Sequence, residues 1–322
     1  MTLSPARPDL ADIAGNPRPK GIEPGTLRTA DGIELRYAVT PSQRFATRGT
    51  ILLLQGRNEA IEKYFETIED LSARGYCVLT FDWRGQGGSQ RVTRNPAKGH
   101  ITHFDAYFRD FEAVFRDVAL PDCRGPYAVL AHSMGAAVAI LGAKAFLNRI
   151  ERIVASAPLV ALAGARPRTN QFFVAANLLR WTGFSGLPVR GGRGAAAYTP
   201  ARNPLTSDRH RFERNRRLAA EAPHLFVNGP TAGWLAAATG AMRRLDDSDV
   251  IAELHVPTLI VTAGADAVVS SAAAERLGWR MRSGHVLALP EARHELLQEA
   301  DRFRAPFLAA ADAFIGGAMP EA

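Results

Sequence analysis

Only two cysteines occur among the 322 residues, Cys77 inside an apolar strand-like run and Cys123 in the turn PDCRGP. So few exclude a disulfide-stapled scaffold and offer no paired spacing for a structural metal, and both thiols are expected to be inert. No apolar run approaches the roughly 20 residues needed to cross a bilayer, which excludes a spanning helix. The first stretch, MTLSPARPDLADIAGNPRPK, has prolines and charges but no apolar core of a secretory signal. Residues 1–24 are expected to be a flexible arm, and a cytoplasmic location follows as the default. Lysine is scarce, so arginine supplies most of the 39 basic side chains that set a net charge of +7 against 32 acids. From Pro158 to Leu245 there are thirteen arginines against three acids, +10, which leaves −3 for the rest of the chain. A basic excess suits nucleic acid or an anionic membrane. No nucleic-acid recognition motif accompanies it, so nucleic acid is not an expected partner. The excess reads either as arginine bias in composition or as attraction to anionic lipid.

What is present is a regular succession of short apolar runs: TILLLQ (50–55), YCVLTF (76–81), PYAVLAH (126–132), RIVASA (152–157), PTLIVTA (257–263) and HVLALP (285–290). Runs without alternation are the pattern of strands buried on both faces. Helical patterns separate most of them, among them Ala60 to Arg74, Phe104 to Ala119 and Met134 to Asn148. This alternation predicts an α/β fold, a mostly parallel central sheet flanked by helices. Ahead of it, GTLRTADGIELRYAVTP reads as a hairpin turning at Asp31-Gly32. The alternation stops after Ala157 and resumes at Pro257. So long an interruption carries structure of its own, expected here as a helical cap over the C-terminal strand ends.

PYAVLAH runs directly into His132-Ser133-Met134-Gly135-Ala136, the start of a helical run. A sharp strand-to-helix turn exposes a serine hydroxyl and aims the first helical N–H groups at whatever it attacks. It requires small residues two positions to either side, here Ala131 and Gly135. A serine hydroxyl needs a base, and with such a turn the chain order is serine, acid, histidine. Asp266 follows PTLIVTA in the loop AGADAVV, and His294 follows HVLALP in PEARHELL. Both fall at C-terminal strand ends, on the edge that carries Ser133. His255 and His285 lie at the opposite ends, and Asp246, Asp247 and Asp249 precede a strand, as turn or helix-cap residues do. Ser133 is therefore the expected nucleophile, His294 its base and Asp266 the group that orients the base. An oxyanion needs two preorganised donors. The N–H of Met134 is one, and that of Arg57, in Gln55-Gly56-Arg57-Asn58, is the other. This chemistry calls for no cofactor and no metal.

Taken together, GRNEAIEKY, FDWRGQGGS, KGHITHFDAYFRD, AHSMGA, ADAVVSS and ARHELLQE resemble the bacterial lysophospholipase and monoacylglycerol lipase family of α/β-hydrolases, from roughly Gly25 to Gly316. The resemblance implies an α/β-hydrolase fold with an inserted cap, the same triad and oxyanion donors, and cleavage of the acyl ester of a lysophospholipid or monoacylglycerol. It departs at Ala131, where glycine is usual, and at Gln55, where many members have histidine. Glu59, Lys63 and Tyr64 are expected to fix the oxyanion loop, the turn Asp82 to Ser89 to support the site from behind, and His100 and His103 to pack and cap. The catalytic domain is expected over 25–157 and 246–322 and the cap over 158–245. Phe172, Phe173, Trp181 and Trp234 are the candidate substrate-binding residues; lining an acyl tunnel and forming the cap's own core remain equal alternatives for them. The expected partner is a small lipid or ester, with peripheral contact to anionic membrane through Arg211, Arg214, Arg216 and Arg217. Two other functions stay open: a carboxylesterase or peptidase for small soluble substrates, and a non-catalytic ligand receptor. The oligomeric state is not legible.

Overall fold

Apolar runs that lack alternation can be satisfied only inside a sheet covered on both faces. In the computed structural model, which describes residues 6–164, 166–189, 199 and 203–317, they pair in that way. The strands are β1 (Glu23–Arg28), β2 (Glu34–Thr40), β3 (Thr50–Leu54), β4 (Cys77–Phe81), β5 (Tyr127–His132), β6 (Ile150–Ser156), β7 (Thr258–Ala263) and β8 (Gly284–Leu289). They form one sheet in the order β1-β2-β4-β3-β5-β6-β7-β8. β2 runs antiparallel to both β1 and β4, and the strands from β4 to β8 are parallel. The turn between β1 and β2 is wider than the Asp31-Gly32 pair alone, because Thr29 and Ile33 close it by hydrogen bonds across five residues.

Successive side chains of a strand point to opposite faces, so each central strand feeds two cores. Leu52 and Leu54 of β3 join one, and Ile51 and Leu53 the other. The first core is covered by α2 (Asp105–Val114), α4 (Met134–Gly142), α7 (Ala232–Asp246) and α9 (Ser271–Arg280). The second lies under α1 (Phe65–Ala73) and α10 (Asp301–Gly316). A short turn, α3 (Leu120–Asp122), precedes β5. Between β6 and β7 run α5 (Arg166–Trp181), α6 (Arg209–Glu221), α7 and α8 (Ser248–Ala252). No described helix is long and apolar enough to cross a membrane.

Two expectations change. From residue 6 the arm is docked rather than loose: Leu10 is buried in the second core, and Ile13 packs with Leu218 and Leu225. The anchor is Glu62, which accepts the Ala11 N–H at 3.0 Å while its own carbonyl takes Asn16 Nδ2 at 2.8 Å. Glu62 is in turn paired with buried Arg36. Nor do Arg211 and Arg214 belong to an exposed basic surface. Arg211 binds Glu66 (2.6 Å), Asp301 (2.7 Å) and the Glu299 carbonyl (2.7 Å), and Arg214 binds Glu66 (2.6 Å) and Gln298 (2.7 Å). Both are buried and tie α6 to α1 and to the segment before α10. Arg216 and Arg217 remain exposed on α6. The side chains of Arg166 and Arg168, and the whole of Arg190, Arg193 and Arg202, lie outside what the structure describes.

Candidate active site

β5 ends in a turn that puts Ser133 at φ +50° and ψ −110°, immediately before α4. A serine accepts such a conformation only where its surroundings over-determine it, at about 1–3 kcal/mol. Here the Ser133 N–H donates to the Ser156 carbonyl at 2.9 Å, and its own carbonyl accepts the N–H of Leu159 and Ala137. The small neighbours have a steric reason. A Cβ at Gly135 would lie 2.5 Å from the Gln55 carbonyl oxygen, so glycine alone fits. The Ala131 methyl is fully buried in the first core, which has room for it.

The loops after β7 and β8 bring Asp266 and His294 to the same edge. His294 Nε2 stands 3.1 Å from Ser133 Oγ, and Nδ1 stands 2.8 Å from Asp266 Oδ2. The other Asp266 oxygen accepts the N–H of Val268 (2.8 Å) and Val269 (2.9 Å). Burial would raise this carboxyl, but His294 and those two amides outweigh it and hold it below its ordinary value. The rival acids stand elsewhere: Asp247 caps α8, and Asp246 pairs with Arg280. The geometry therefore joins a hydroxyl, an imidazole and an ionised carboxylate in one line, the arrangement that draws a proton from the hydroxyl.

Met134 is the first residue of α4, so its N–H has no intrahelical acceptor. Arg57 sits in the loop after β3, which is held from several sides. Glu59 accepts from the Gly56 N–H, Lys63 Nζ (2.7 Å) and the Tyr64 hydroxyl (2.6 Å). Burial pulls Glu59 toward its neutral form, yet Lys63 and His132 keep its pKa at about 2. Lys63 also pairs with Glu295 at 2.6 Å. From behind, Trp83 Nε1 donates to the Gln55 carbonyl (2.9 Å), and Gln86 accepts the Asn58 N–H. Those two residues belong to the turn Asp82 to Ser89. His132 lies against His294, ring centroids 4.8 Å apart, and burial pushes its imidazole down to about 3, so it is uncharged at neutral pH. His100 Nδ1 meets Thr231 Oγ1 at 2.9 Å and His103 meets Arg180 at 3.2 Å, so both stitch the insertion to the body of the fold. Among the described residues no group of three or more His, Cys, Asp or Glu could hold a metal ion.

Ser133 and His294 open onto a cavity of about 660 Å³. Trp234 lines it, buried, with its indole N–H on the Tyr107 hydroxyl at 3.1 Å. Trp181 does not line it; at 87% exposure it faces solvent at the end of α5. The side chains of Phe172 and Phe173 lie outside the described residues. The rest of the apolar wall includes Leu159, Leu162, Leu205, Phe212, Leu218 and Phe226. None of these six is among the four candidate substrate-binding residues named from the sequence, Phe172, Phe173, Trp181 and Trp234. Phe212, Asn215 and Leu218 repeat every three residues along α6, a signal present in the sequence but crowded by arginines.

The serine aminopeptidase S33 family (Hydrolase_4) matches residues 46–301. The chain belongs to this family. Among the relatives of this S33-family chain, a probable lysophospholipase L2 from Haemophilus influenzae is 30% identical over 287 residues, covering 88% of each chain. Lysophospholipase L2 of Escherichia coli K12 is 31% identical over 274 residues, 79% of this chain and 76% of that one. Monoglyceride lipase of Saccharomyces cerevisiae, solved as a soluble variant with a substrate analog, superposes with a TM-score of 0.72 at 21% identity, over 91% of this chain and 96% of that one. That likeness shows the fold, an α/β-hydrolase. The S33-family chain is thus a hydrolase on that fold, with the family match spanning β3 to the start of α10.

Proposed function

We propose that the protein is a serine esterase that cleaves the acyl ester of a lysophospholipid or monoacylglycerol through an acyl-enzyme intermediate. Ser133 Oγ attacks the ester carbonyl as His294 Nε2 takes its proton, and Asp266 holds the opposite ring nitrogen and stabilises the imidazolium. The N–H groups of Arg57 and Met134 receive the oxyanion. His294 then protonates the departing alcohol, and water activated by the same ring releases the fatty acid. No cofactor enters. In this reading residues 158–245 form the cap and 25–157 with 246–322 the catalytic domain. The enzyme is cytoplasmic and meets anionic membrane peripherally.

The observation that carries the reading is the cavity. Its wall is mainly aliphatic and aromatic, with the reacting groups on one side, as a single acyl chain beside its ester requires. The lysophospholipase names of relatives that cover most of the chain support the same substrate class. The test is a hydrolysis panel of lysophospholipids, monoacylglycerols, short p-nitrophenyl esters and aminoacyl substrates, with fluorophosphonate labelling. Long-chain lipid esters should lead, Ser133 should carry the label, and Ser133→Ala should lower turnover by about 10⁶-fold. Preference for short or aminoacyl substrates would refute the lipid assignment, and a wild-type protein that neither labels nor hydrolyses would be a ligand receptor.

A further inference from the structure

Arg57 is placed in the oxyanion loop for its backbone, but its side chain makes an arrangement of its own. The guanidinium lies over the Trp234 ring, 4.8 Å from the centroid, and Nη2 donates to the Asn228 carbonyl at 2.9 Å. Gly99 makes room for it, since a Cβ there would lie 2.6 Å from Nη2. Arg57 lines the cavity that holds Ser133. Among the described residues no carboxylate pairs with it, and its buried Nε has no protein acceptor. The other cation of the wall, Lys63, is clamped between Glu59 and Glu295. The side chain is half-buried, and partial desolvation without a counter-charge pulls this guanidinium's pKa down to about 10. The cation is seated, unpaired and beside the nucleophile, and an anion arriving with the substrate would supply the counter-charge.

We propose that the Arg57 guanidinium binds the phosphate of the substrate's head group, so that the site selects a single-chain phospholipid over a neutral monoacylglycerol. The proposal rests on the lipid-ester reading above and narrows it. The position supports the pairing: in the lipid-ester reading the Arg57 amide receives the oxyanion, and the side chain of the same residue lines the same cavity as Ser133. A planar guanidinium presents parallel N–H groups that match two phosphate oxygens. The nearby acid Glu59 does not oppose this, because its oxygens are already turned to Gly56, Lys63 and Tyr64.

The test is calorimetric binding to the intact protein, with octyl phosphate, 1-octanol and inorganic phosphate as probes. Octyl phosphate should bind about 10- to 100-fold more tightly than octanol, the range of a charge-assisted hydrogen-bonded pair. Arg57→Gln should remove that preference, read as the ratio of octyl phosphate to octanol affinity within the variant, and Arg57→Lys, which keeps the charge without the fork, should restore part of it. Equal wild-type binding of octyl phosphate and octanol would overturn the proposal, as would an undiminished preference in Arg57→Gln. Inorganic phosphate binding as tightly as octyl phosphate would overturn the head-group assignment and mark a free-anion site. Hydrolysis of 1-oleoylglycerol and 1-oleoylglycero-3-phosphoethanolamine is measured alongside. A protein that binds octyl phosphate through Arg57 but cleaves neither ester would refute the lipid-ester reading while the anion site stands.

Discussion

Asp266 and Asp247 show how one residue type takes two roles from its surroundings. The Asp266 carboxylate is buried, accepts two backbone amides on one oxygen and holds His294 with the other. Asp247 is exposed and accepts the N–H of Asp249 at 2.8 Å and of Val250 at 3.4 Å, as a helix cap does. The amides that fix Asp266 Oδ1 leave Oδ2 to face the imidazole. An Asp266→Asn carboxamide can instead offer that ring a donor and select the wrong tautomer, so turnover should fall by roughly 10⁴-fold with the fold intact. Asp247→Ala should remove about 1 kcal/mol of stability through the lost cap and leave turnover unchanged. Steady-state kinetics and thermal unfolding of the two variants check this. A silent Asp266→Asn, or an inactive and folded Asp247→Ala, would overturn the assignment of the acid.

On α6, arginine density conceals two functions on separate faces. One face presents Phe212, Asn215 and Leu218 to the cavity; the other delivers Arg211 and Arg214 to Glu66. Because Glu66 is about a third exposed and would keep Arg214, Arg211→Gln should cost on the order of 2 kcal/mol, less than the 3–5 kcal/mol typical of breaking a fully buried pair. Burial raises the Glu66 pKa, but Arg211 and Arg214 outweigh it and bring the carboxyl down to about 2 from an ordinary value of 4.5. A depressed folded-state pKa contributes stability above the unfolded value that is lost as pH falls toward the folded one. The difference between wild type and Arg211→Gln should therefore be full above about pH 4.5 and shrink toward pH 2, as chemical denaturation across that range would measure. A pH-independent difference would show that Glu66 is not the partner that matters. The same helix marks the limit of what the sequence discloses. Strands such as Thr50–Leu54 are legible because burial on both faces leaves an unbroken apolar run, and the triad is legible because its members directly follow such runs. The α6 arginines answer to Glu66, far away in the chain, and no local pattern distinguishes a paired arginine from a solvated one. Leu10 and Ile13 are hidden likewise, single apolar residues in a polar arm whose sites lie on other elements.

At the scale of the whole molecule, the clearest unpartnered feature among the described residues is on α5, away from the arginines of α6. Val174, Leu178 and Trp181 lie along one helical face at 64%, 61% and 87% exposure, and Phe184 and Leu187 continue the apolar surface at 56% and 46%. Spacings of four and three residues align such side chains on one side of a helix. A monomer rarely leaves so many large apolar groups together in water, and an apolar face that includes tryptophan suits the boundary of a bilayer. None of these five side chains borders the cavity, so their contribution should be to membrane contact and not to the chemistry. Full burial of a Val or Leu side chain is worth roughly 1.5–3 kcal/mol, whereas one basic residue near an anionic surface contributes about 1 kcal/mol and is screened by salt. The apolar face should thus set most of the affinity, and exposed arginines only its salt-dependent part. Replacing Val174, Leu178 and Trp181 together with serine should weaken sedimentation with phosphatidylcholine vesicles at least about tenfold at low and high salt, with turnover of p-nitrophenyl butyrate unchanged. Replacing Arg216 and Arg217 with glutamine should weaken binding only to vesicles containing phosphatidylglycerol, and only at low salt. If the triple variant sediments as the wild type does while the arginine variant does not, the contact is electrostatic and the α5 face has another partner. If neither change alters sedimentation, the protein reaches its substrate without docking through these surfaces.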